Sequence, residues 1–278
     1  MTTDTQRTNA ATLRSLTHDG SVLVLPNAWD PASALQIAAA GAKAVATTSA
    51  GVAWALGRND GQGMTRDLAV DAVARITASV DVPVSADIEG GYGAAPEDVA
   101  ATVRAVIAAG AVGINLEDSQ APGGPLFDTA EQAARIRAAR EAATEAGLPE
   151  LVINARTDVF LFGIGEEAGR LEDVTKRAEA YAEAGADGLF VPGLVDLTTI
   201  AELVTRTALA VNIMAGPGAP SVDELRKAGV RRVSVGSAIP QAVYGLVKKA
   251  AAEILSSGTY TALADAEDFG NLNAFPAR

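Results

Sequence analysis

The sequence predicts an α/β fold, a single (β/α)8 TIM barrel over residues 1–278. The length of 278 residues suits one barrel of about 250 residues. One pattern recurs along the chain, in which an Ala-rich helical stretch is followed by a Gly turn and a short run of Val, Ile and Leu. Continuous apolar runs are typical of parallel strands that are covered on both faces. An open doubly wound sheet is the alternative, but no Gly-x-Gly-x-x-Gly motif follows the first run.

Eight apolar runs predict the strands, and the stretches between them predict helices. Asp30 followed by Pro31 is a typical helix start, and Ser221 with Glu224 forms a capping-box pattern. The last helix and the tail after it are expected to form a C-terminal helical extension. The predicted strands are 22–25, 44–48, 82–86, 112–116, 151–155, 188–191, 209–213 and 232–235, and the predicted helices are 31–40, 65–79, 96–109, 129–146, 167–184, 196–205, 221–228 and 238–256.

The composition excludes several kinds of site. The chain has no cysteine and a single histidine, His18, which rules out disulfides, thiolate chemistry and His-rich zinc sites. The formal net charge of −12 repels phosphate backbones, so we expect no nucleic-acid partner. No apolar run approaches the roughly 20 residues of a membrane helix, and the first residues are polar. We therefore expect a cytoplasmic protein that binds no membrane.

Acidic side chains follow two neighbouring predicted strands. Asp87 and Glu89 come after the third strand, and Glu117 comes after the fourth. Barrels keep their active sites at the carboxyl ends of the strands, where these acids would converge. Converging carboxylates repel one another unless a hard cation with oxygen ligands neutralises them. The sequence therefore predicts a Mg²⁺ site, with Mn²⁺ also tolerated, at Asp87, Glu89 and Glu117. The alternative is that these acids are helix caps or ion-pair partners.

Two features suit a substrate carboxylate. Arg156 follows the fifth strand, and its planar guanidinium can bind a carboxylate through two hydrogen bonds. An ion pair with Asp158 is the alternative role. The turn Ser49-Ala50-Gly51 follows the second strand and can present successive backbone N–H groups to an anion.

Two long connections, 49–64 and 118–128, follow strand ends and could close over a site. Trp54 in the first connection is a candidate wall of that site. Asn212, near the end of the seventh strand, is a further candidate for substrate binding.

These motifs resemble the isocitrate lyase/phosphoenolpyruvate mutase superfamily. The similarity runs from LPNAWDPASA to VSVGSA, and its most specific parts are TTSAGVAW, ADIEGGYG, GINLED and INARTDVF. The family's D-x-D-x-G-[YF]-G motif matches residues 87–93, with Glu89 in place of the second Asp. The resemblance implies that Glu117 completes the metal site, that Arg156 and the Ser-x-Gly turn hold the substrate, and that Asp60 lies near the reacting bond.

The resemblance also implies a Mg²⁺-dependent enzyme for small 2-oxo or 2-hydroxy acids, which makes or breaks a C–C or P–C bond beside an enolate. It implies a homodimer or homotetramer in which the eighth helix is exchanged between subunits. The sequence departs from the family in the loop 119–128, which has no Cys, Lys or His. Family lyases carry a Lys-[KR]-Cys-Gly-His motif there, and phosphonomutases carry a Lys and an Asn. A His of those enzymes is replaced by Pro192.

We therefore predict a C–C lyase or decarboxylase that works through an enolate, with Asp60, Arg156 and Ser49 as the catalytic residues. Without the loop Cys, the proton would come from water, Tyr92 or another loop group.

Two alternatives remain at this stage. A phosphonomutase would need cationic contacts to a phosphoryl group, for which Arg58 and Lys43 are the candidates. A non-catalytic metabolite-binding barrel is the other alternative, and the presence of both Asp87 and Arg156 disfavours it.

Overall fold

The computed structural model describes residues 2–275, and within them nine strands form one parallel sheet. The strands are β1 (Leu23–Leu25), β2 (Asn27–Ala28), β3 (Val45–Thr47), β4 (Val84–Asp87), β5 (Gly113–Glu117), β6 (Val152–Arg156), β7 (Gly188–Phe190), β8 (Ala210–Met214) and β9 (Arg232–Ser234). At the two ends of the strand order, β1 pairs with β9 and β2 pairs with β3. Only Pro26, which has no N–H, separates β1 from β2, so the two are halves of one barrel strand. The predicted (β/α)8 barrel is confirmed.

Helices follow the strands around the outside of the barrel. The predicted caps form, since Asp30 Oδ1 accepts from Ser33 N at 2.7 Å and Ser221 Oγ accepts from Glu224 N at 3.3 Å. The helices of the described residues are α1 (Asp4–His18), α2 (Pro31–Ala39), α3 (Ser49–Ala55), α4 (Arg66–Ser79), α5 (Pro96–Ala108), α6 (Thr129–Glu145), α7 (Arg170–Glu183), α8 (Leu197–Arg206), α9 (Val222–Lys227), α10 (Ala238–Ser257) and α11 (Phe269–Asn273).

Helix α1 is not among the predicted elements, because its sequence is mostly polar and shows no strong apolar period. Its few apolar side chains are nevertheless buried, among them Ala10 and Leu13. Gln6 Nε2 donates to the carbonyl oxygens of Ile107 at 2.7 Å and Ala111 at 3.1 Å, just before β5 begins. Helix α1 therefore covers the amino ends of the strands, opposite the end where the predicted site residues lie.

The segment 49–64 is not one long loop as expected, because its first seven residues form α3. Gly51 lies inside this helix, where glycine is ordinarily unfavourable. A Cβ at Gly51 would come within 2.8 Å of both Thr48 Cγ2 and Trp29 Cβ. Because α3 packs so closely against Thr48 and Trp29, only a residue without a side chain fits at position 51. This close packing also favours a helix at a position where glycine does not.

Helix α10 packs little against the rest of its own chain. Only Pro240 and Ala250 are buried along its length. Its exposed apolar side chains are Val243, Leu246, Val247, Ile254 and Leu255. Exchange of α10 between subunits stays a prediction. No helix within residues 2–275 is long and apolar enough to cross a membrane.

Candidate active site

A pocket of about 190 Å³ opens at the carboxyl ends of the strands. Five of the residues predicted to act in the site line it, which are Ser49, Ala50, Asp60, Asp87 and Arg156. They come from the ends of β4 and β6 and from the connection after β3, so the barrel brings together residues that are far apart in the chain. This arrangement makes the pocket the candidate active site.

Arg156 is held between two carboxylates. Its Nη1 lies 2.8 Å from Glu117 Oε2, and its Nε donates to Asp158 Oδ1 at 2.6 Å. Burial by itself favours the neutral form, but Glu117 and Asp158 more than offset it and raise the pKa of Arg156. The guanidinium is therefore permanently charged and fixed in orientation. Both roles considered for Arg156 thus coexist, since it forms the ion pair with Asp158 and also lines the pocket.

A buried network behind Asp158 holds it in place. Ser119 Oγ donates to Asp158 Oδ2 at 2.5 Å, and Asp158 N donates to Asp118 Oδ1 at 3.0 Å. Asp118 Oδ2 in turn lies 3.1 Å from Arg177 Nη1 and accepts from the Tyr181 hydroxyl at 2.9 Å. Sequence reasoning missed Arg177 and Tyr181, because they lie on α7, about 60 residues from their partner, and carry no motif of their own.

Asp87 connects the strand ends to α3. Its Oδ2 accepts from Ser49 N at 3.0 Å, and its Oδ1 accepts from Glu89 N at 3.3 Å. The N–H groups in the first turn of a helix have no acceptor within the helix. The Ser49 N–H donates to Asp87, so the N–H groups of Ala50 and Gly51 are left to bind an anion.

Glu89 sits in a turn with an uncommon backbone conformation. Its φ is 49° and that of Tyr92 is 57°, both in the left-handed region that non-glycine residues rarely adopt. The Tyr92 hydroxyl donates to Glu89 Oε1 at 3.1 Å, and Gln62 N donates to Glu89 Oε2. Burial, together with the charges of Asp87 and Asp60, raises the pKa of Glu89 to about 7.

Glu117 is also buried. Burial raises its pKa to about 8, although Arg156 acts in the opposite direction. When they are deprotonated, Glu89, Glu117 and Asp87 carry more negative charge than Arg156 alone neutralises, which is why the pKa values of the two glutamates are raised. Such an excess of hard oxygen donors fits a divalent cation.

The three acids do not form a ready-made set of direct ligands. In the part of the chain that the structure describes, no three acidic or histidine side chains converge as a metal-binding group. Of the three acids predicted to bind the metal, Asp87 alone lines the pocket, while Glu89 and Glu117 are engaged by Tyr92 and Arg156. The assignment of the metal site to these three acids, some of them acting through water, therefore stays a prediction, with Asp87 as the carboxylate that faces the pocket.

Two long connections meet beside the pocket. Asp60, on the first, is exposed as a whole residue, yet it lines the pocket. Partial burial of its carboxyl group and the charge of Asp87 raise its pKa, against a hydrogen bond from Ser49. A Cβ at Gly61 would lie 1.9 Å from Pro122 Cγ in the second connection. The two connections therefore touch through a position where only glycine fits.

Three residues predicted to bind substrate do not line the pocket, since Gly51 is buried within α3 and Trp54 and Asn212 lie elsewhere. Trp54 is on α3, and its ring packs edge-on against Tyr244 of α10, with the centroids 6.3 Å apart. Asn212 is fully buried, and its Nδ2 donates to Ser234 Oγ at 3.1 Å. Neither residue lines the pocket. The isolated cationic candidates His18, Lys43 and Arg58 are exposed and also lie outside it.

One wall of the pocket is apolar. It consists of Leu161, Phe190, Pro192 and Met214, and the Arg156 guanidinium carbon lies 5.8 Å from the Phe190 ring centre. Sequence reasoning singled out only Pro192 of this wall. Phe190 ends an apolar strand and could have been found by the same strand-end argument that located Arg156.

Comparisons with known proteins agree with this geometry. The family model described as phosphoenolpyruvate phosphomutase matches residues 13–255. An uncharacterized protein of Mycobacterium tuberculosis (strain H37Rv) is 39% identical over 222 residues, which cover 80% of each chain. A 2-methylisocitrate lyase of Escherichia coli (strain K12) is 32% identical over 203 residues, which cover 69% of this chain and 66% of the lyase. The crystal structure of a candidate lyase/mutase of Burkholderia cenocepacia J2315 has a TM-score of 0.90 at 37% identity and covers 97% of this chain and 96% of that one.

Proposed function

Because the chain belongs to the phosphoenolpyruvate phosphomutase family, within the isocitrate lyase/phosphoenolpyruvate mutase superfamily, we propose that it is a Mg²⁺-dependent C–C lyase or decarboxylase for a small 2-oxo or 2-hydroxy acid. One observation carries the proposal. The fixed guanidinium of Arg156, the carboxylate of Asp87 and the start of α3 all line one pocket of about 190 Å³. A small acid placed there meets an anion-binding group on one side and a metal-binding group on the other.

The roles of the residues follow from their positions. Arg156 and the free N–H groups at the start of α3 bind and orient the substrate carboxylate. Asp87 would hold the cation, with Glu89 and Glu117 acting through water. A divalent cation supplies positive charge that stabilises the oxygen of a developing enolate. From a 2-oxo acid, cleavage of the bond between C3 and its carboxylate releases CO2 and leaves the electron pair on C3, beside the oxo group, where a proton is then delivered. From a 2-hydroxy acid, loss of the hydroxyl proton turns C2 into a carbonyl carbon as the C2–C3 bond breaks, and the electron pair stays on C3, which then takes a proton.

Asp60 is the best-placed group to handle that proton. It lines the pocket, and its raised pKa brings its titration nearer to neutral pH. Tyr92, the earlier candidate, donates to Glu89 and does not line the pocket. Water bound beside Asp60 therefore replaces the Cys that the loop 119–128 lacks. Ser49 lines the same pocket as Asp60 and acts on its carboxyl group by lowering its pKa.

The lining of the pocket favours a C–C bond over a P–C bond as the one that reacts. Arg156 is the one cationic side chain among the described residues that line it. A transferring phosphoryl group needs several cationic contacts to neutralise its oxygens, whereas the apolar wall at Phe190 suits a carbon fragment. A 2-methylisocitrate lyase stands among the relatives, which supports the same choice.

We also propose that the protein is a homodimer or homotetramer in which α10 of one copy packs on the barrel of another. A groove of about 620 Å³ lies outside β1, lined by residues of α1, β1 and α2 that include Leu16, Val24 and Ile37. Val24 is 38% exposed although it lies on a barrel strand. The exposed apolar side chains of α10 match this groove in chemistry.

A substrate panel tests the proposed activity. Malate-type acids, 2-oxo acids, 2-hydroxy acids and phosphonopyruvate are assayed for pyruvate-like products with and without EDTA. We expect cleavage of a 2-oxo or malate-type acid that EDTA abolishes and Mg²⁺ restores, and inhibition by oxalate, a mimic of the enolate. Activity that survives EDTA would contradict the metal-dependent mechanism. Turnover of phosphonopyruvate alone would replace the lyase with a mutase.

A further inference from the structure

A buried polar layer inside the barrel lies directly below the pocket. It consists of Asn115 on β5, Asn154 on β6, Asn212 on β8 and Arg232 on β9, each at most 5% exposed. Barrel interiors are ordinarily filled by branched apolar side chains. Polar groups this deeply buried need hydrogen-bond partners, so the direction of each hydrogen bond decides what the layer presents to the pocket.

Arg232 decides how Asn115 is oriented. Its Nη2 lies 3.2 Å from Asn115 Oδ1, and a guanidinium can only donate, so the atom it faces must be the oxygen. Asn154 Nδ2 donates to the same oxygen at 2.8 Å. With its oxygen held from below by two donors, the Asn115 amide cannot flip, and its Nδ2 points away from Arg232.

The same reasoning applies to Ser234. Asn154 Nδ2 also donates to Asn212 Oδ1 at 3.0 Å, which fixes the Asn212 amide, and Asn212 Nδ2 then donates to Ser234 Oγ at 3.1 Å. Asn115 and Ser234 both line the pocket. Within residues 2–275, neither Asn115 Nδ2 nor the Ser234 hydroxyl donates to a protein acceptor, so both donors are available to a ligand.

The positively charged guanidinium of Arg232 lies next to Asn115, on the side of its amide oxygen. Burial lowers the pKa of Arg232 to about 10, so the guanidinium remains charged at neutral pH. Its Nε and Nη1 have no hydrogen-bond partner among the described residues. Its charge is offset by Asp87, whose two carboxylate oxygens accept from Ser49 N and Glu89 N. A buried cation without a close ion pair is unfavourable unless negative charge comes near it.

We propose that Asn115 and Ser234 form a second substrate subsite on the pocket floor, which binds a carboxylate oxygen, and that Arg232 is the positioning residue for it. This inference rests on the proposed function, because it places the first carboxylate at Arg156. A floor that offers only donors, with a cation behind it, selects a group that has only acceptors and a negative charge. The substrate class is therefore a small dicarboxylic acid rather than a monocarboxylic one.

Dicarboxylate binding tests the subsite without requiring turnover. Malonate, succinate and glutarate are titrated calorimetrically into the Mg²⁺-loaded protein, and the tightest binder is carried forward. Ser234→Ala and Asn115→Asp should each weaken it about tenfold or more. The unfolding temperatures of both variants should stay close to that of the wild type. In Asn115→Asp, a carboxylate oxygen still accepts from Arg232 and Asn154. In Ser234→Ala, Asn212 Nδ2 still donates to the carbonyl oxygens of Ile213 and Arg232.

Arg232 has its own pair of variants. Arg232→Met should weaken binding several-fold, and Arg232→Lys, which keeps a donor for Asn115 Oδ1, should largely restore it. Ser79→Ala is the matched control, because this buried hydroxyl on α4 donates to Ile76 O and does not line the pocket. It should bind like the wild type.

The outcomes separate the subsite from the proposed function. If Ser234→Ala and Asn115→Asp bind within about twofold of the wild type while Arg156→Ala loses binding, the subsite is overturned and the proposed function stands. If the wild type binds none of the three acids, the subsite is overturned, and the substrate panel decides the proposed function. Should Asn115→Asp fail to fold, Ser234→Ala and the comparison of Arg232→Met with Arg232→Lys decide the matter.

Discussion

Arg156 and Glu117 are register partners on the neighbouring strands β5 and β6, and Arg156 Nη1 lies 2.8 Å from Glu117 Oε2. Arg156 Nε also donates a hydrogen bond to Oδ1 of the nearby Asp158 at 2.6 Å. The guanidinium is therefore locked before any ligand arrives, so a substrate that binds it does not have to order a flexible side chain. The arrangement predicts that the position of the charge matters as well as its sign.

Arg156→Lys should consequently lower kcat/KM about 100-fold despite keeping the charge, because an ammonium cannot reproduce the planar fork held by Glu117 and Asp158. Steady-state kinetics on the active substrate measures the loss. Arg170→Lys is the control, since Arg170 contacts backbone carbonyls away from the pocket. Near-normal activity of Arg156→Lys would mean that the fork is not used.

Stability without metal should fall as pH rises from about 5.5 to about 8.5. In the folded protein the pKa of Glu89 is about 7 and that of Glu117 about 8, against an ordinary value of 4.5. The folded state therefore holds protons that the unfolded chain has already lost in this range, and it loses stability as they leave. Thermal unfolding in EDTA across this range measures the effect.

Mg²⁺ should oppose this loss, and the stabilisation it brings should grow with pH, because the cation competes with the same protons. Glu89→Gln should flatten the pH dependence in EDTA. An unfolding temperature that rises with pH in EDTA would contradict the raised pKa values.

Asp118→Asn should destabilise the fold by about 3 kcal/mol, because it removes the buried carboxylate charge that lies 3.1 Å from Arg177. Urea unfolding measures the change. Asp173→Asn is a matched control, because Asp173 pairs with the same Arg177 at 3.3 Å but is 41% exposed. Its effect should stay below about 1 kcal/mol. Equal effects of the two variants would show that burial does not govern this pair.

Gly61→Ala should lower kcat/KM because the added methyl group meets Pro122 and separates the two connections beside the pocket. Gly57→Ala is the control, since its φ of 66° imposes a comparable backbone strain while nothing lies within 4 Å of the added Cβ. Each variant should lose about 1 kcal/mol of stability from strain. Only Gly61→Ala should lose activity, and equal activities would refute a functional contact between the connections.

Val247→Asp should dissociate the proposed oligomer, because it places a charge on the exposed apolar face of α10, where Val247 is 60% exposed. Val24→Asp, in the groove outside β1, should have the same effect from the other side. Lys248→Ala on α10 is the control. Sedimentation velocity at micromolar concentration measures the assembly. A monomeric wild type would end the proposal.

The fold could be predicted because its signals are local. Most strands are short runs rich in Val, Ile, Leu and Ala, and several helices carry their own N-cap residues, so eight βα units follow from neighbours in the chain. Their strand ends converge in any closed barrel, which is why Asp87 and Arg156 could be assigned to one pocket. Helix α1 escaped notice because its polar sequence buries only a few side chains, and α3 because Gly51 disfavours a helix.

The sequence could not predict how deep within the barrel each inward-facing side chain lies. Inward-facing side chains recur at every second residue of a strand, so Asn212 and Met214 on β8 are equivalent in the sequence pattern. Met214 lines the pocket and Asn212 lies below it. The stagger between strands decides which of the two reaches the mouth, and closing the barrel sets that stagger.

The sequence by itself therefore determined the barrel, and it placed the acidic residues and Arg156 at the carboxyl ends of the strands. Periodicity and strand ends are properties of neighbouring residues. The tertiary structure alone decided which groups meet across the interior. Arg232 reaches Asn115 from 117 positions away, and Arg177 reaches Asp118 from 59. The direction in which a buried amide points depends on such distant donors, and these come within hydrogen-bonding distance only when the barrel has closed.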